Sequence, residues 1–596
     1  MIERESVSSL EDSRSPDLVW LVSGFLIALT SIFIRFYWLD IKPLHHDEGV
    51  NGYFLTTLFR DGVYKYDPAN YHGPTLYYIS LAFTKLFGLT TLPVRWSVAI
   101  FGVLTVILAL FLKRWIGRTG SLFAALFLAL SPGMVFISRY FIHEIIFVFL
   151  SLAFVMSILY FIDRTKAGPF AIGWMALLLA AAFLPSTMIL AGRLAGDNAS
   201  LKLAFILGLL VVVAGLEFLV IRMLLLWNGG RPIYFILASG CVALLLATKE
   251  TTFITLGTML IACVCIRIWL RVHGKPYYAA NDEICDENLS LRDFRVALGS
   301  RTDLLLICVA AGAAFIYILV AFFSSFFTYP EGLTGFLEAY QIWTRTGTDA
   351  HTQNGFWAYL NWGMKIEAPI LIISLIGTII AFVKARHRFA MFAGLWAVGL
   401  FLAYSIIPYK TPWLALSFLL PMCISAGYGL NELIRSNSPA AKFGGVLLGF
   451  AGAAVLAYQS YDLNFVRYDD ESVPYVYAHT KREFLDLIRE IEHYAEGSGK
   501  GKEAVIEIVS PDYWPMVWYL NDYKKANFHG RMAAIEGSEM IVAKKGDQDR
   551  KMIDSFSSDY RLVGTFALRP GVDLVLLVRK DLAGPDAREL YKITEH

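Results

Sequence analysis

Charged side chains are scarce in this 596-residue chain: they fill 17% of positions, against 56% hydrophobic and 15% aromatic. With a mean hydropathy of +0.54, that balance excludes an ordinary soluble protein. The 52 basic and 50 acidic residues leave a net charge of +2, so no field of one sign draws the chain to nucleic acid or to an acidic partner. Cysteine is equally thin. Cys241, Cys263, Cys265, Cys285, Cys308 and Cys423 fall in or beside apolar runs or basic loops, at no disulfide-framework or metal-ligand spacing, which argues against redox chemistry. No cleavable signal sequence is evident, because residues 1–17 are charged and the first apolar run is long enough to remain as an anchor. The internal repeat that marks many transporters is also missing.

What is present is a series of apolar runs of bilayer-spanning length. Thirteen are found, near 18–38, 94–112, 121–138, 145–162, 170–191, 201–226, 232–248, 252–270, 303–323, 367–384, 389–407, 412–430 and 442–459. A fourteenth run, 75–88, is shorter and follows a polar loop, so it is expected to lie at the interface. Charge collects at the other end: residues 461–596 hold 43 charged side chains against 59 in the first 460. The expected organisation is a cytoplasmic segment 1–17, an α-helical polytopic membrane domain 18–460 and a small soluble α/β domain 461–596. Within the last, a helical pattern runs from Lys481 to Glu496, a β run from Ala504 to Ser510, and a strand pair from Arg561 to Arg579 turning at Arg569-Pro570-Gly571.

Basic residues orient the spans, since positively charged short loops stay cytoplasmic. With the N-terminus inside, the cytoplasmic loops carry Lys113-Arg114…Arg118, Arg164…Lys166, Arg222…Arg231, Arg267…Lys275 and Lys384…Arg388. The opposite face receives 39–93, Ser138–Glu144, Thr248–Thr251, 324–366, Pro408–Pro412 and the soluble domain. The expected location is the cell (inner) membrane, with residues 461–596 extracytoplasmic or periplasmic.

Polar groups able to do chemistry concentrate on that face. His45-His46-Asp47-Glu48-Gly49 follows the first span, and Tyr64…Tyr71-His72-Gly73-Pro74 forms an aromatic loop after it. Interfacial carboxylates are often merely solvated, but a loop of aromatics, histidine and turn residues suits holding a ligand. Ser138-Arg139…His143-Glu144 places a cation, an imidazole and a carboxylate between two apolar helices, with Arg139 snorkelling to headgroups as the plain alternative. Thr248-Lys249-Glu250-Thr251 repeats the theme. In Pro408-Tyr409-Lys410-Thr411-Pro412 a lone lysine stands on the face that should be poor in lysine, which suits an anion such as phosphate. Glu217 lies inside the sixth span but close to Arg222 and the inner surface. Tyr513, Trp514, Trp518 and Tyr519 could stack on sugars but at this spacing more often pack a small core.

In this order, Asp47-Glu48, His72-Gly73-Pro74, Arg95 and Arg139…Glu144 resemble the GT-C superfamily of polyprenyl-phosphate-sugar-dependent glycosyltransferases, which includes protein O-mannosyltransferases and the aminoarabinose transferase of lipid A. The similarity is closer still to the flippase activity-associated family of prokaryotic membrane proteins. There it takes in Ala247-Thr248-Lys249-Glu250, Ser324…Gly332, Lys410-Thr411-Pro412-Trp413, Pro474-Tyr475-Val476-Tyr477 and Tyr513-Trp514-Pro515. The resemblance implies a membrane hexosyltransferase with Asp47 as general base, alongside Glu48 and Glu144 as catalytic carboxylates. It implies His72, Arg95, Arg139, His143, Lys249, Glu250 and Lys410 as substrate-binding residues. Other branches place Asp where this chain has Glu144. Some relatives hold a divalent cation, which makes His72, Glu144 and His351 candidate ligands, and others work without metal. The implied partners are a polyprenyl-phosphate-linked sugar, a lipid, glycan or protein acceptor, and the bilayer. A flippase or transporter, and a non-catalytic accessory protein of envelope-glycan assembly, are the competing readings.

Overall fold

The computed structural model describes residues 18–596 apart from 71, 197, 274–282, 285, 287, 288, 349–353, 534, 536, 547–557 and 585–596. The helices that build the membrane region are α1 (Leu18–Phe36), α2 (His46–Asp61), α3 (Thr75–Phe87), α4 (Thr91–Leu110), α5 (Arg118–Leu130), α6 (Pro132–Ser138), α7 (Glu144–Ile162), α8 (Pro169–Ala195) and α9 (Ala199–Leu226). They continue with α10 (Arg231–Leu246), α11 (Thr252–His273), α12 (Arg301–Phe323), α13 (Gly332–Thr348), α14 (Ala358–Ile366), α15 (Ala368–Lys384), α16 (Arg388–Ile406), α17 (Leu416–Ile434) and α18 (Pro439–Tyr461). Among the described residues eleven helices are long and apolar enough to cross a bilayer, and thirteen when each of two bent pairs is one span. Helix α3, with 13 residues, would cover about 20 Å, short of the ~30 Å hydrocarbon core.

The two bent pairs are tied together. α5 and α6 meet at 57° and α14 and α15 at 109°. Ser131 caps α6 by accepting the Met134 N–H, and Pro132 occupies the first helical turn, where its missing N–H costs nothing. Glu367, at the second bend, accepts from Ser131 Oγ and the Gly133 N–H, both at 2.8 Å. A carboxylate at a helix N-terminus is favourably placed.

After α18 the chain does not leave the membrane region at once: Tyr468, Val473, Tyr475 and Val476 are buried in the same apolar core as the spans. A second core begins at Phe484, where α19 (Glu483–Gly497) buries Phe484, Leu487, Ile488, Ile491 and Tyr494 at helical spacing. It packs on a five-stranded sheet of order β2-β1-β3-β5-β4, with β1 (Ile506–Ile508), β2 (Ala526–Phe528), β3 (Met540–Lys544), β4 (Tyr560–Arg569) and β5 (Val572–Arg579). β1 pairs parallel with β2 and β3; β5 pairs antiparallel with β3 and β4.

This domain docks on α2. Added Cβ atoms at Gly49 and Gly52, three residues apart and so on one face, would lie 2.6 Å from Pro515 and 2.5 Å from Trp518. Tyr519 Oη accepts the Leu44 N–H at 2.9 Å. Trp518 and Tyr519 therefore join the two regions.

Candidate active site

Asp47 and Glu48 are neighbours with opposite fates, because one helical step turns a side chain by about 100°. Glu48 is wholly buried and bidentate to Arg95, at 2.8 Å on both oxygens. It also accepts the His45 and Phe141 N–H groups at 2.8 and 2.9 Å. Arg95 gives its remaining protons to the carbonyls of Leu39, Lys42 and Pro43. Burial pushes the Glu48 carboxyl up, but the Arg95 charge and its hydrogen bonds prevail and hold it below 4.5. Asp47, by contrast, keeps 42% of its side chain exposed and faces a cavity of about 250 Å³.

Four segments bring side chains to that cavity: His46, Asp47 and Asn51 from α2; Asn70 and His72; His143 and Glu144; Lys249, Glu250 and Thr251. Trp343, Tyr404, Tyr409, Thr411 and Trp413 complete its wall. The segments are joined by backbone. Gly73 N–H donates to the Thr248 carbonyl at 3.1 Å and Thr75 N–H to that of Ala247 at 3.0 Å. A Cβ on Gly73 would sit 2.1 Å from the Ala247 oxygen, so only glycine permits the approach.

An ion pair and a histidine–carboxylate contact line the cavity. Lys249 Nζ lies 2.7 Å from Glu144 Oε1, with side-chain exposures of 4% and 7%. His72 Nδ1 lies 3.2 Å from Glu250 Oε2. Burial lowers the Lys249 ammonium, but Glu144 and Glu250 outweigh it and keep the lysine charged. Burial raises Glu250, and His72 and Lys249 pull it back below the usual carboxylate value. His143 Nε2 meets the Gly73 carbonyl at 3.2 Å. Burial, then the charges of His72 and Lys249, holds its imidazole well below 6.5, hence neutral.

A second, apolar cavity has a volume of about 820 Å³. Thr75, Tyr78 and Leu244 line one end, and Lys166, Pro169 and Phe170 the other, where the basic loops lie.

A family model of dolichyl-phosphate-mannose-protein mannosyltransferases matches residues 49–191. Among solved structures, ArnT from Cupriavidus metallidurans in the apo state aligns with a TM-score of 0.54 at 14% identity, over 96% of this chain and 100% of that chain. The same protein bound to undecaprenyl phosphate gives 0.55 at 14% identity with the same coverage. The fold is that of ArnT. An oligosaccharyltransferase from Archaeoglobus fulgidus tethered with an acceptor peptide aligns at 0.47 and 14% identity, over 85% of this chain and 63% of that chain. No curated protein sequence matches.

Within this fold, four residues expected at the site do not line the cavity. Glu48 and Arg95 are the closed pair just described, with no atom open to a substrate. Arg139, expected to hold phosphate, is 1% exposed. It donates to the carbonyls of Ile34, Tyr37 and Trp38 at 2.7–3.0 Å, capping the end of α1, where a cation suits the helix dipole. Lys410 is buried and donates to the Ile407 carbonyl at 2.6 Å, while its neighbours Tyr409 and Thr411 line the cavity. Of the expected metal ligands, His72 meets Glu250 and Glu144 meets Lys249, and His351 lies outside the described residues. Among the described residues no three metal-binding side chains come together, and the Lys249 ammonium stands where a cation would neutralise Glu144.

Asn51 was missed in the sequence, although it stands one helical turn after Asp47 and so on the same face. It bridges the Phe141 carbonyl and the Tyr77 hydroxyl, both at 2.9 Å.

Proposed function

We propose that this chain is a membrane glycosyltransferase that moves a sugar from a polyprenyl-phosphate donor to an acceptor hydroxyl, with inversion, on the face opposite its basic loops. The observation that carries the reading is the pair of cavities: a charged one lined by Asp47, Lys249 and Glu144, and an apolar one lined by Thr75 and Leu244, which lie three and five residues from His72 and Lys249 of the first. A lipid-linked sugar has the same two halves. Its prenyl tail fits the apolar cavity and its phosphate and sugar the polar one. Support also comes from ArnT of the same fold, bound to undecaprenyl phosphate, and from the mannosyltransferase model over residues 49–191.

A phosphate leaves as a stable anion and needs no proton, so the site has two tasks. Asp47 takes the proton of the acceptor hydroxyl as its oxygen bonds to the anomeric carbon. The bond from that carbon to the phosphate oxygen breaks, and the released polyprenyl phosphate gains a negative charge facing Lys249. One base acting opposite the leaving group inverts the anomeric centre. Glu144 and Glu250 hold Lys249 and His72 in place and keep them charged or oriented. The reading puts the site and the C-terminal domain on the extracytoplasmic side of the cell (inner) membrane.

Purified protein in detergent, given radiolabelled polyprenyl-phosphate sugars and candidate acceptors, should yield glycosylated acceptor of inverted configuration and free polyprenyl phosphate. A product of retained configuration would remove the single-base mechanism. Movement of labelled lipid across vesicles without any transfer would favour a flippase.

A further inference from the structure

His45 stands between the helix that carries Asp47 and the chain some 430 residues later. It is the N-cap of α2, and the Asp47 N–H donates to its Nδ1 at 3.1 Å. Its Nε2 lies 3.0 Å from the Tyr477 carbonyl. An amide N–H can only donate and a carbonyl can only accept, so both contacts require the same neutral tautomer, with the proton on Nε2. The ring is 3% exposed and is walled by Tyr140, Trp413 and His479 at centroid distances of 5.6, 6.0 and 5.9 Å.

The Tyr477 segment is itself fixed. Two residues on, His479 Nδ1 bonds the Tyr140 hydroxyl at 2.8 Å. Two residues back, Tyr475 packs so closely on Gly133 that a Cβ there would lie 2.4 Å from its hydroxyl oxygen. On its other side α2 meets Pro515 and Trp518 through Gly49 and Gly52. The first turn of α2 is thus held from both sides by residues that follow the last span.

We propose that His45 is a positioning residue through which the C-terminal segment, by its Tyr477 carbonyl, aims the Asp47 carboxylate into the cavity. The inference rests on the reading of Asp47 as the base. His45 Nδ1 lies 3.8 Å from Asp47 Oδ2, beyond hydrogen-bond distance; the residue sets the direction of the first helical turn, and with it the reach of the next side chain but one. A base displaced by about 1 Å can lose ~10²-fold in rate, whereas the groups read as holding the donor's tail and phosphate, the apolar cavity and Lys249, lie outside that turn.

Three full-length variants separate the linkage from simple capping. His45→Asn keeps an oxygen where Nδ1 stands, and asparagine is a favoured N-cap, but it does not reach Tyr477. His45→Gln carries an amide N–H to the position of Nε2. His45→Ala loses both contacts. The expected result is that His45→Asn melts like the wild type yet loses about 10-fold or more in kcat with the donor KM unchanged, and that His45→Gln recovers most of that loss. His45→Asn turning over at the wild-type rate, or His45→Gln no faster than His45→Ala, would overturn the proposal. Asp47→Asn measured alongside distinguishes the two failures. Full activity there removes the base itself, whereas an inactive Asp47→Asn beside a fully active His45→Asn removes only the linkage.

Discussion

The Lys249 ammonium sits 2.7 Å from the Glu144 carboxylate in the wall of the cavity that Asp47 faces, and both side chains are nearly closed to solvent. A buried pair of this kind is poor evidence for stability, since two charges have lost their water. Removing one partner is another matter. Lys249→Met leaves Glu144 buried and uncompensated, which should cost about 3–5 kcal/mol and lower the melting midpoint in detergent. Pairing it with Glu144→Leu should restore much of the midpoint but none of the transfer activity. Recovery of activity in the double variant would exclude Lys249 from the phosphate site.

Arg95 and Arg139 should behave as scaffold. Arg95→Met strands the Glu48 carboxylate, and Arg139→Met frees the carbonyls at the end of α1, so both should lower the midpoint while any folded fraction keeps the wild-type donor KM. Arg95→Met carries the larger penalty, about 3–5 kcal/mol, because a buried charge is left behind. A raised KM with an unchanged midpoint in either variant would return that arginine to the substrate.

Much of the fold is legible in the sequence because the length of an apolar run reports directly on a bilayer span. The brevity of the run at Thr75–Phe87 likewise separates an interfacial helix from a span. The sharp bends at Ser131 and Glu367 are less visible: each falls inside or at the edge of a run that reads as continuous. The site divides in the same way. His72, His143, Glu144, Lys249 and Glu250 line one cavity, and each lies in a polar segment between apolar runs. Which of Asp47 and Glu48 faces the cavity depends on a rotation about the helix that neighbouring carboxylates do not reveal. The roles of Arg95 and Arg139 depend on carbonyls, which every residue carries alike. Strands β2 and β3 were not anticipated, the first being three residues long with a polar centre.

Acid should destabilise the protein through its buried histidines. Burial, reinforced by His72 and Lys249, holds His143 well below 6.5; burial, reinforced by Lys42, does the same to His479. The unfolded chain therefore takes up protons first as pH falls. The stabilisation from keeping these rings neutral is fully present above 6.5 and is lost as pH drops below that value towards the lower folded ones. Melting midpoints should fall between about pH 7 and pH 5. His143→Gln, which can still donate to the Gly73 carbonyl, should show a shallower fall; an equal slope would remove His143 from the effect.

Gly52→Ala should loosen the C-terminal domain. The new methyl would lie 2.5 Å from the Trp518 ring, so the indole must move, at a cost of about 1–3 kcal/mol for an overpacked contact. Limited proteolysis should then cut residues 481–584 faster than in the wild type. An unchanged cleavage rate would mean that the docking against α2 tolerates the displacement.

The central claim is that Asp47 is the base of a glycosyl transfer, and the direct measurement is the single-turnover rate of Asp47→Asn against the wild type on a donor the wild type uses. The account predicts a fall of about 10²–10⁴-fold, with the protein still folded and the donor still bound. A rate equal to that of the wild type would contradict it.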